Sequence, residues 1–165
     1  MNRKMNIAQY NACVDEYADR LFRFIFKNLK DRERAKDIVQ DIYAKLWEKV
    51  DSVEYEKAKS YLFTSAYHTM IDVIRKEKKT EFIEKWTGNE GTTQPVKAGL
   101  KDIVESALRR LPDIQRTVVL LRDYEGYSYE EIAGITGLSD SQVKVYIYRA
   151  RASMKMFFGT MDLII

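Results

Sequence analysis

Apolar residues near the start of the chain recur at steps of three or four positions, which is the spacing of one buried helix face. They are Ile7, Tyr10, Val14, Tyr17, Leu21, Ile25 and Leu29. Asp31 follows this stripe and stands where an N-cap side chain would begin a second helix, whose wide apolar face extends from Ala35 to Val50. The pattern therefore predicts two consecutive helices.

The segment from Tyr61 to Lys79 carries two adjacent apolar stripes at helical spacing and ends in a basic run at residues 75–79. One stripe is Leu62, Ala66, Met70 and Val73, and the other is Phe63, Tyr67, Ile71 and Ile74. Two stripes make a wide apolar surface, so we expect a third helix that offers part of this surface to a partner.

Helical periodicity fades between Thr80 and Gly99, where glycine, threonine and proline residues interrupt the chain as in a flexible connection. We place a linker at residues 80–100, with domains at residues 1–79 and 101–165. The segment Phe82–Trp86 is more apolar than a simple spacer, and the sequence leaves open whether it is a short helix or a docking patch.

Periodicity resumes at Ile103, is broken at Pro112 and restarts at Ile114, so two short helices should meet at a Leu-Pro corner. No segment of the sequence has the pattern of a strand. The remaining helices are indicated by their start and stop signals.

Two helix starts and one helix stop lie close together between Ser128 and Gln142. Ser128 with Glu131, and Ser139 with Gln142, have the spacing of capping boxes, in which each side chain binds the other residue's backbone amide. Gly137 lies between them, where a helix that turns within three residues needs a left-handed backbone position. The predicted fold class is therefore all-α, with two small helical domains joined by a flexible linker, the C-terminal one a helix-turn-helix.

The second helix of this motif has an apolar face and a basic face. The residues predicted to pack the motif together are Ile132, Ala133, Leu138, Val143 and Ile147. Four positive charges lie at Lys144, Arg149, Arg151 and Lys155, whereas the preceding segment carries Asp123, Glu125, Glu130 and Glu131. A basic helix that exposes Ser141, Val145 and Tyr148 suits the major groove of DNA. A merely solvated basic face is the alternative, and the coincidence of caps, glycine and segregated charge disfavours it.

The amino-acid composition limits the classes of function that the chain can have. The chain has 165 residues and a net charge of +3, so nucleic-acid binding depends on where the basic residues cluster. Cys13 is the only cysteine and His68 the only histidine, which excludes an intramolecular disulfide and an ordinary Cys/His zinc site. Since no phosphate loop or catalytic motif is found, we expect no cofactor, no metal and no enzymatic activity. The polar N-terminus and the lack of a long apolar stretch predict a cytoplasmic protein without membrane insertion.

The stretch from Leu111 to Arg151 resembles region four of extracytoplasmic-function sigma factors, with the segments Leu111–Ala133 and Arg149–Arg151 as the clearest matches. In that family this domain reads the minus-thirty-five element of the promoter. The resemblance implies DNA contacts at Ser141, Lys144, Val145, Tyr148 and Arg149, with Arg151 and Lys155 as further basic positions on the same helix.

Residues 35–47 and 61–76 resemble region two of the same family in their order and spacing. The family docks the second helix on the polymerase clamp, which implies that core RNA polymerase binds Asp37, Gln40, Asp41 and Trp47. Asp37 and Asp41 lie one turn apart on a common face, and carboxylates beside an exposed tryptophan would form a binding hot spot. The alternative is that Trp47 is an ordinary core residue.

The third helix resembles the element that captures the minus-ten sequence as an opened strand. A single strand is bound by stacking side chains beside positive charges, and the matching positions are Tyr61, Phe63, Tyr67, His68, Arg75 and Lys76. Many family members have Arg-Asn where this chain has Tyr67 and His68. Tyr61 and Phe63 can equally be core residues, and His68 a partly exposed hydrogen-bonding residue.

A sigma factor of this class would bind core RNA polymerase and promoter DNA, and an anti-sigma protein commonly holds the family inactive. The rival interpretation is a stand-alone helix-turn-helix regulator that binds an operator as a dimer. It would share the second domain but would not need the Asp37–Trp47 surface or the aromatic third helix. A helical adaptor that binds only proteins would leave the basic helix without a role. The resemblance does not explain the apolar tail at residues 157–165, which can cap the last helix, fray or contact an inhibitor.

Overall fold

A computed structural model describes residues 5–86 and 99–162, with side chains described for residues 5–80 and 99–160. Seven α-helices occupy these ranges, and no strand is present in them. They are α1 (Ile7–Leu29), α2 (Arg32–Glu48), α3 (Ala58–Trp86), α4 (Leu100–Arg110), α5 (Asp113–Val119), α6 (Tyr129–Thr136) and α7 (Asp140–Asp162). The all-α prediction is confirmed.

Helices α1, α2 and α3 form the first domain as a three-helix bundle. Asn6 caps α1 in a capping box with Gln9, and Asp31 caps α2 as its sequence position predicts. The bounds of α1 are those of its apolar stripe. The core is filled from all three helices by fully or almost fully buried side chains, including Leu21, Ile25, Ala35, Ile42, Leu46, Leu62, Ala66 and Met70.

Helix α3 is longer than its apolar pattern predicts. It begins at Ala58, after a 3₁₀ turn at Tyr55–Lys57, and its backbone continues to Trp86. The expected end at Lys79 was therefore wrong, and the segment Phe82–Trp86 extends the helix. The segment is short and is followed by glycines at positions 88 and 91, so its apolar residues alone do not decide between a helix and a docking patch.

Helices α4 to α7 form the second domain, and the corner between α4 and α5 lies at Leu111 and Pro112 as predicted. Pro112 is tolerated there because the first amides of a helix have no intrahelical partner, so the missing proline N–H costs nothing. After α5 the backbone widens into a π-helical turn, Leu120–Tyr124. The core of this domain contains Val118, Leu121, Ile132, Val143 and Ile147, each at most 1% exposed.

The two domains are in contact. Helix α3 packs against α6, and α1 packs against α4 and α5. Tyr127, in the turn before α6, lies in this contact and is only 1% exposed. The sequence indicates where the chain divides, but it does not indicate that the two halves cover part of each other.

Candidate polymerase and nucleic-acid interfaces

The helix-turn-helix consists of α6, the turn at Gly137 and α7. Ser128 Oγ accepts the Glu131 amide at 3.0 Å, and Glu131 Oε1 accepts the Ser128 amide at 3.2 Å. Ser139 and Gln142 form the second capping box with distances of 3.1 and 3.0 Å. Gly137 ends α6 at φ 79°, in the left-handed conformation predicted for it. All three local signals are confirmed.

Helix α7 separates a buried face from an exposed one. Val143 and Ile147 are buried, whereas Val145 is 43% exposed and Tyr148 is 74% exposed. All the side chains predicted to contact bases are exposed, namely Ser141, Lys144, Val145, Tyr148 and Arg149. Because caps and buried residues hold this helix in place, its outer face is ready to enter a major groove without rearrangement.

Tyr129 supports the exposed face of α7 from the first turn of α6. Its ring centroid lies 4.7 Å from the guanidinium carbon of Arg122 and 5.8 Å from Lys144 Nζ, both within cation–π range. Tyr129 is not among the residues that the sequence predicts for this surface. Its only signal is its position directly after the cap Ser128, which places it at the start of the motif.

The remaining basic positions, Arg151 and Lys155, lie farther along α7 and are both exposed. Together with Tyr129 and Tyr148 they line a shallow concave surface. Arg151 also forms an ion pair with Asp123, with its Nε 3.2 Å from Oδ2. Asp123 therefore offsets part of the positive charge that the sequence assigns to DNA binding.

The predicted polymerase-binding residues lie on α2, and all four are exposed: Asp37, Gln40, Asp41 and Trp47. Trp47 is 49% exposed, and Tyr10 supports its ring edge to face with the ring centroids 5.0 Å apart. The alternative that Trp47 is a core residue is therefore wrong. A braced, half-exposed tryptophan on the same helix as two exposed carboxylates has the composition of an interface hot spot.

The predicted minus-ten residues divide into two groups on α3. Tyr61, His68, Arg75 and Lys76 are partly or fully exposed. Phe63 is completely buried, and Tyr67 is 8% exposed. The ring of Phe63 packs on Phe24 of α1 and on Tyr127 of the second domain, with centroids 5.6 and 5.5 Å apart. In this conformation Tyr61, His68, Arg75 and Lys76 are accessible to a DNA strand, whereas Phe63 is not.

In the described ranges, residues 5–86 and 99–162, no helix is both long and apolar enough to span a membrane. The same ranges contain no cluster of histidine, cysteine, aspartate and glutamate side chains that could hold a metal ion. Cys13 lies buried with a free thiol.

Comparison with known protein families gives two matches. Residues 13–80 match Sigma-70 region 2, and residues 101–154 match Sigma-70, region 4. The two matched segments cover the bundle of α1 to α3 and the helix-turn-helix domain, and they appear in the order predicted from the sequence.

Whole-chain relatives extend this similarity. The RNA polymerase sigma factor SigV of Bacillus subtilis is 32% identical over 153 residues, covering 92% of this chain and 92% of that protein. The RNA polymerase sigma factor YlaC of the same organism is 31% identical over 150 residues, covering 85% of this chain and 86% of that protein. The ECF RNA polymerase sigma factor SigM, also of Bacillus subtilis, is 25% identical over 148 residues.

A solved structure shares the arrangement of helices. It is the sigma factor RpoE in complex with the anti-sigma factor NepR from Bartonella quintana, at a TM-score of 0.75 and 26% identity, covering 93% of this chain and 98% of that one. Both domains therefore agree in sequence and fold with one group of proteins, and the chain belongs to the extracytoplasmic-function family of RNA polymerase sigma factors.

Proposed function

We propose that the chain binds core RNA polymerase, directs it to specific promoters and assists in opening them. It acts in the cytoplasm and catalyses no reaction of its own. The observation that carries this proposal is the presence of two separate exposed surfaces, one on α7 suited to duplex DNA and one on α2 that duplex recognition does not need. The relatives, which are themselves RNA polymerase sigma factors, support it.

The proposal divides the chain into three parts. Residues 1–79 bind core polymerase and the minus-ten element, residues 80–100 connect the domains, and residues 101–165 bind the minus-thirty-five element. One domain binds polymerase and the other binds DNA. Because the two are linked, binding by one domain raises the effective concentration at which the other domain meets its partner.

In the second domain, Ser141, Lys144, Val145, Tyr148 and Arg149 read the base edges and adjoining backbone of the minus-thirty-five element. Arg151 and Lys155 add phosphate contacts. Base contacts supply specificity, whereas phosphate contacts supply affinity that falls steeply with salt because bound counterions are released.

In the first domain, Tyr61, His68, Arg75 and Lys76 contact the opened minus-ten strand, since they combine planar side chains with positive charge on the exposed part of α3. Phe63 and Tyr67 can take part only in a conformation that uncovers them. Asp37, Gln40, Asp41 and Trp47 form the polymerase contact on α2.

An anti-sigma protein is a further proposed partner. Two solved structures with the same fold, RpoE with NepR and CnrH with the cytosolic domain of CnrY, are complexes of this kind. The apolar tail is one candidate contact, although residues 163–165 lie outside the described residues.

The affinity of the labelled chain for purified core polymerase tests whether α2 and α7 bind different partners. Asp41→Ala and Trp47→Ala should each weaken binding, with a loss of roughly 2 kcal/mol, or about 30-fold, for a true hot spot. Lys144→Ala and Arg149→Ala should leave this affinity unchanged. Asp15→Ala, which removes an exposed aspartate from α1, is the matched control.

Unchanged affinity in both α2 variants would contradict the proposal that core polymerase binds this surface. If the purified chain did not bind polymerase and instead bound a palindromic operator as a tight homodimer, the result would favour a stand-alone regulator.

A further inference from the structure

A row of cationic side chains follows one face of α1. Arg20, Arg23, Lys27 and Lys30 are separated by three or four positions, which places them on a common face of the helix. Arg20 is paired with a carboxylate, because its Nε lies 2.8 Å from Glu125 Oε2. Among the residues that the structure describes, no ion pair involves the other three. The row therefore carries three positive charges without a directly paired carboxylate.

This row borders a cleft between α1 and the π-helical turn that follows α5. The cleft has a volume of about 320 Å³, and its charged lining consists of Arg20, Arg23 and Lys27 on one side and Glu125 on the other. Tyr124 contributes an aromatic wall. Small-molecule sites commonly have volumes of about 300–1,000 Å³. The size and charge of the cleft therefore suit a small anionic ligand.

Lys30 adds a buried ammonium group at the end of the row. Its Nζ is buried, and none of the described residues forms a hydrogen bond with it. Its pKa is lowered to about 8, chiefly by burial and also by the charges of Arg109, Arg116 and Lys27, while Glu105 opposes the shift. A buried cation without a hydrogen-bond acceptor is unfavourable. A bound anion would supply the acceptor and offset the surrounding positive charge.

Lys27 and Tyr124 form a second point of contact for a ligand. Lys27 Nζ lies 4.5 Å from the centroid of the Tyr124 ring, and the tyrosine is 48% exposed. Burial lowers the pKa of Lys27, as do the charges of Lys101 and Arg23, whereas Glu105 raises it. Aromatic surface beside positive charge is the combination by which proteins bind nucleobases together with their phosphates.

The length of the row indicates a ligand with more than one anionic group. Positions 23, 27 and 30 rise about 10 Å along α1, at 1.5 Å per residue. A chain of several phosphate groups matches a row of this length better than a single phosphate does.

We propose that Arg23, Lys27 and Lys30, with the cleft beside them, bind a chain of phosphate groups. Its source is either a nucleoside triphosphate or inorganic polyphosphate. The site is separate from the DNA-binding face of α7, and it does not depend on the proposed function.

Calorimetric titration of the full-length chain tests the site. At about 0.15 M salt and without divalent cations, tripolyphosphate and ATP should each bind in a one-to-one ratio, and sulfate and AMP should bind much more weakly. Tighter binding of ATP than of tripolyphosphate would show that the base stacks on Tyr124 and would identify a nucleotide as the ligand. Equal affinities would show that the phosphate chain alone is recognised.

Lys27→Gln and Lys30→Met should each weaken tripolyphosphate binding by about tenfold or more, since each removes a charged hydrogen bond. Lys30→Met replaces a buried charge with an apolar side chain of similar length, so unfolding does not account for its loss of affinity. Lys45→Gln, at an exposed position of α2, is the matched control. In thermal unfolding, a roughly hundredfold excess of tripolyphosphate over its dissociation constant should raise the midpoint by about 5 °C or more in the wild type and control.

A wild-type chain without saturable tripolyphosphate binding would overturn the proposal. Unchanged affinity in Lys27→Gln and Lys30→Met, with a loss in Lys155→Gln, would place the phosphates on α7 and overturn it as well. Tighter binding of an oligoglutamate peptide than of tripolyphosphate would replace the phosphate chain by an acidic protein segment. Because none of these measurements includes core polymerase, their failure would leave the proposed function standing.

Discussion

Helix α7 presents its predicted DNA-binding side chains on a face that is open to solvent, whereas α3 divides its length between an exposed face and a face covered by the second domain. Tyr148 on α7 is 74% exposed, while Phe63 on α3 is fully buried beneath Tyr127. The comparison shows that the residues predicted to bind duplex DNA are accessible on α7, whereas part of the stripe predicted to bind a single strand is covered on α3.

The largest effects are expected from substitutions of neighbouring residues on the two faces of α7. Ile147→Ala removes a side chain that is 1% exposed and should lower the free energy of unfolding by about 2–5 kcal/mol through the cavity it leaves. Tyr148→Ala should change stability by less than ~0.5 kcal/mol and weaken binding to promoter duplex. Urea unfolding and duplex titration measure both effects; equal stability losses would contradict the separation of faces.

The polar centre of the domain contact is expected to have the next largest effect. Asn28→Ala removes the acceptor of Arg116 Nε and should cost about 1–3 kcal/mol in the free energy of unfolding, because a buried donor loses its partner. The Thr117 hydroxyl, 3.3 Å from the same oxygen, keeps its 2.8 Å hydrogen bond to the Asp113 carbonyl. Asn11→Ala, an exposed asparagine of the same helix, is the control. Urea unfolding of both variants gives the comparison, and equal stability in the two would show that the contact adds nothing.

Two glycines, Gly134 within α6 and Gly137 in the turn after it, test how α7 is positioned. Gly137 has φ 79°, so Gly137→Ala should destabilise the protein by about 1–2 kcal/mol, the cost of a left-handed residue with a Cβ atom. Gly134 has no positive φ, and a Cβ atom there meets nothing within 4 Å. Gly134→Ala should therefore stabilise the helix by about 0.5–1 kcal/mol. Thermal unfolding distinguishes the opposite signs, and the same sign in both would contradict the assigned turn.

Lys30 is expected to make the stability of the chain depend on pH. The pKa of Lys30 is lowered from 10.5 to about 8, chiefly by burial and also by the charges of Arg109, Arg116 and Lys27, while Glu105 opposes the shift. Because the unfolded chain holds this proton up to a higher pH than the folded chain, stability should rise between about pH 8 and 10. Lys30→Met should remove the rise and increase the free energy of unfolding at pH 7.5.

Urea unfolding at pH 7.5 and 9.5 measures this difference. Lys45→Met, a substitution at an exposed position of α2, is the matched control and should keep the pH dependence of the wild type. The same rise with pH in Lys30→Met as in the control would show that another group is responsible.

Local signals in the sequence account for most of the second domain. The capping boxes at Ser128 and Ser139, the left-handed Gly137 and the exposed face of α7 follow from spacings of a few residues, and the structure has each of them. The spacing of apolar residues likewise predicts the bounds of α1. These features could be predicted because each depends on backbone geometry within one or two helical turns.

Contacts between distant segments could not be predicted in this way. Asn28 and Arg116 are 88 positions apart, and neither lies in a pattern that indicates the other. The burial of Phe63 depends partly on Tyr127, which lies in the other domain. The aromatic stripe of α3 predicts a surface for a partner, but periodicity does not show that part of this surface meets the chain's own second domain.

Promoter-directed initiation is tested by mixing the purified chain with core RNA polymerase and genomic DNA fragments and mapping the 5′ ends of the transcripts. We expect the chain to cause initiation at a small set of defined positions that share sequence elements about 10 and 35 base pairs upstream, and core polymerase alone to cause none at these positions. Transcripts with the same start positions in the presence and absence of the chain would contradict it.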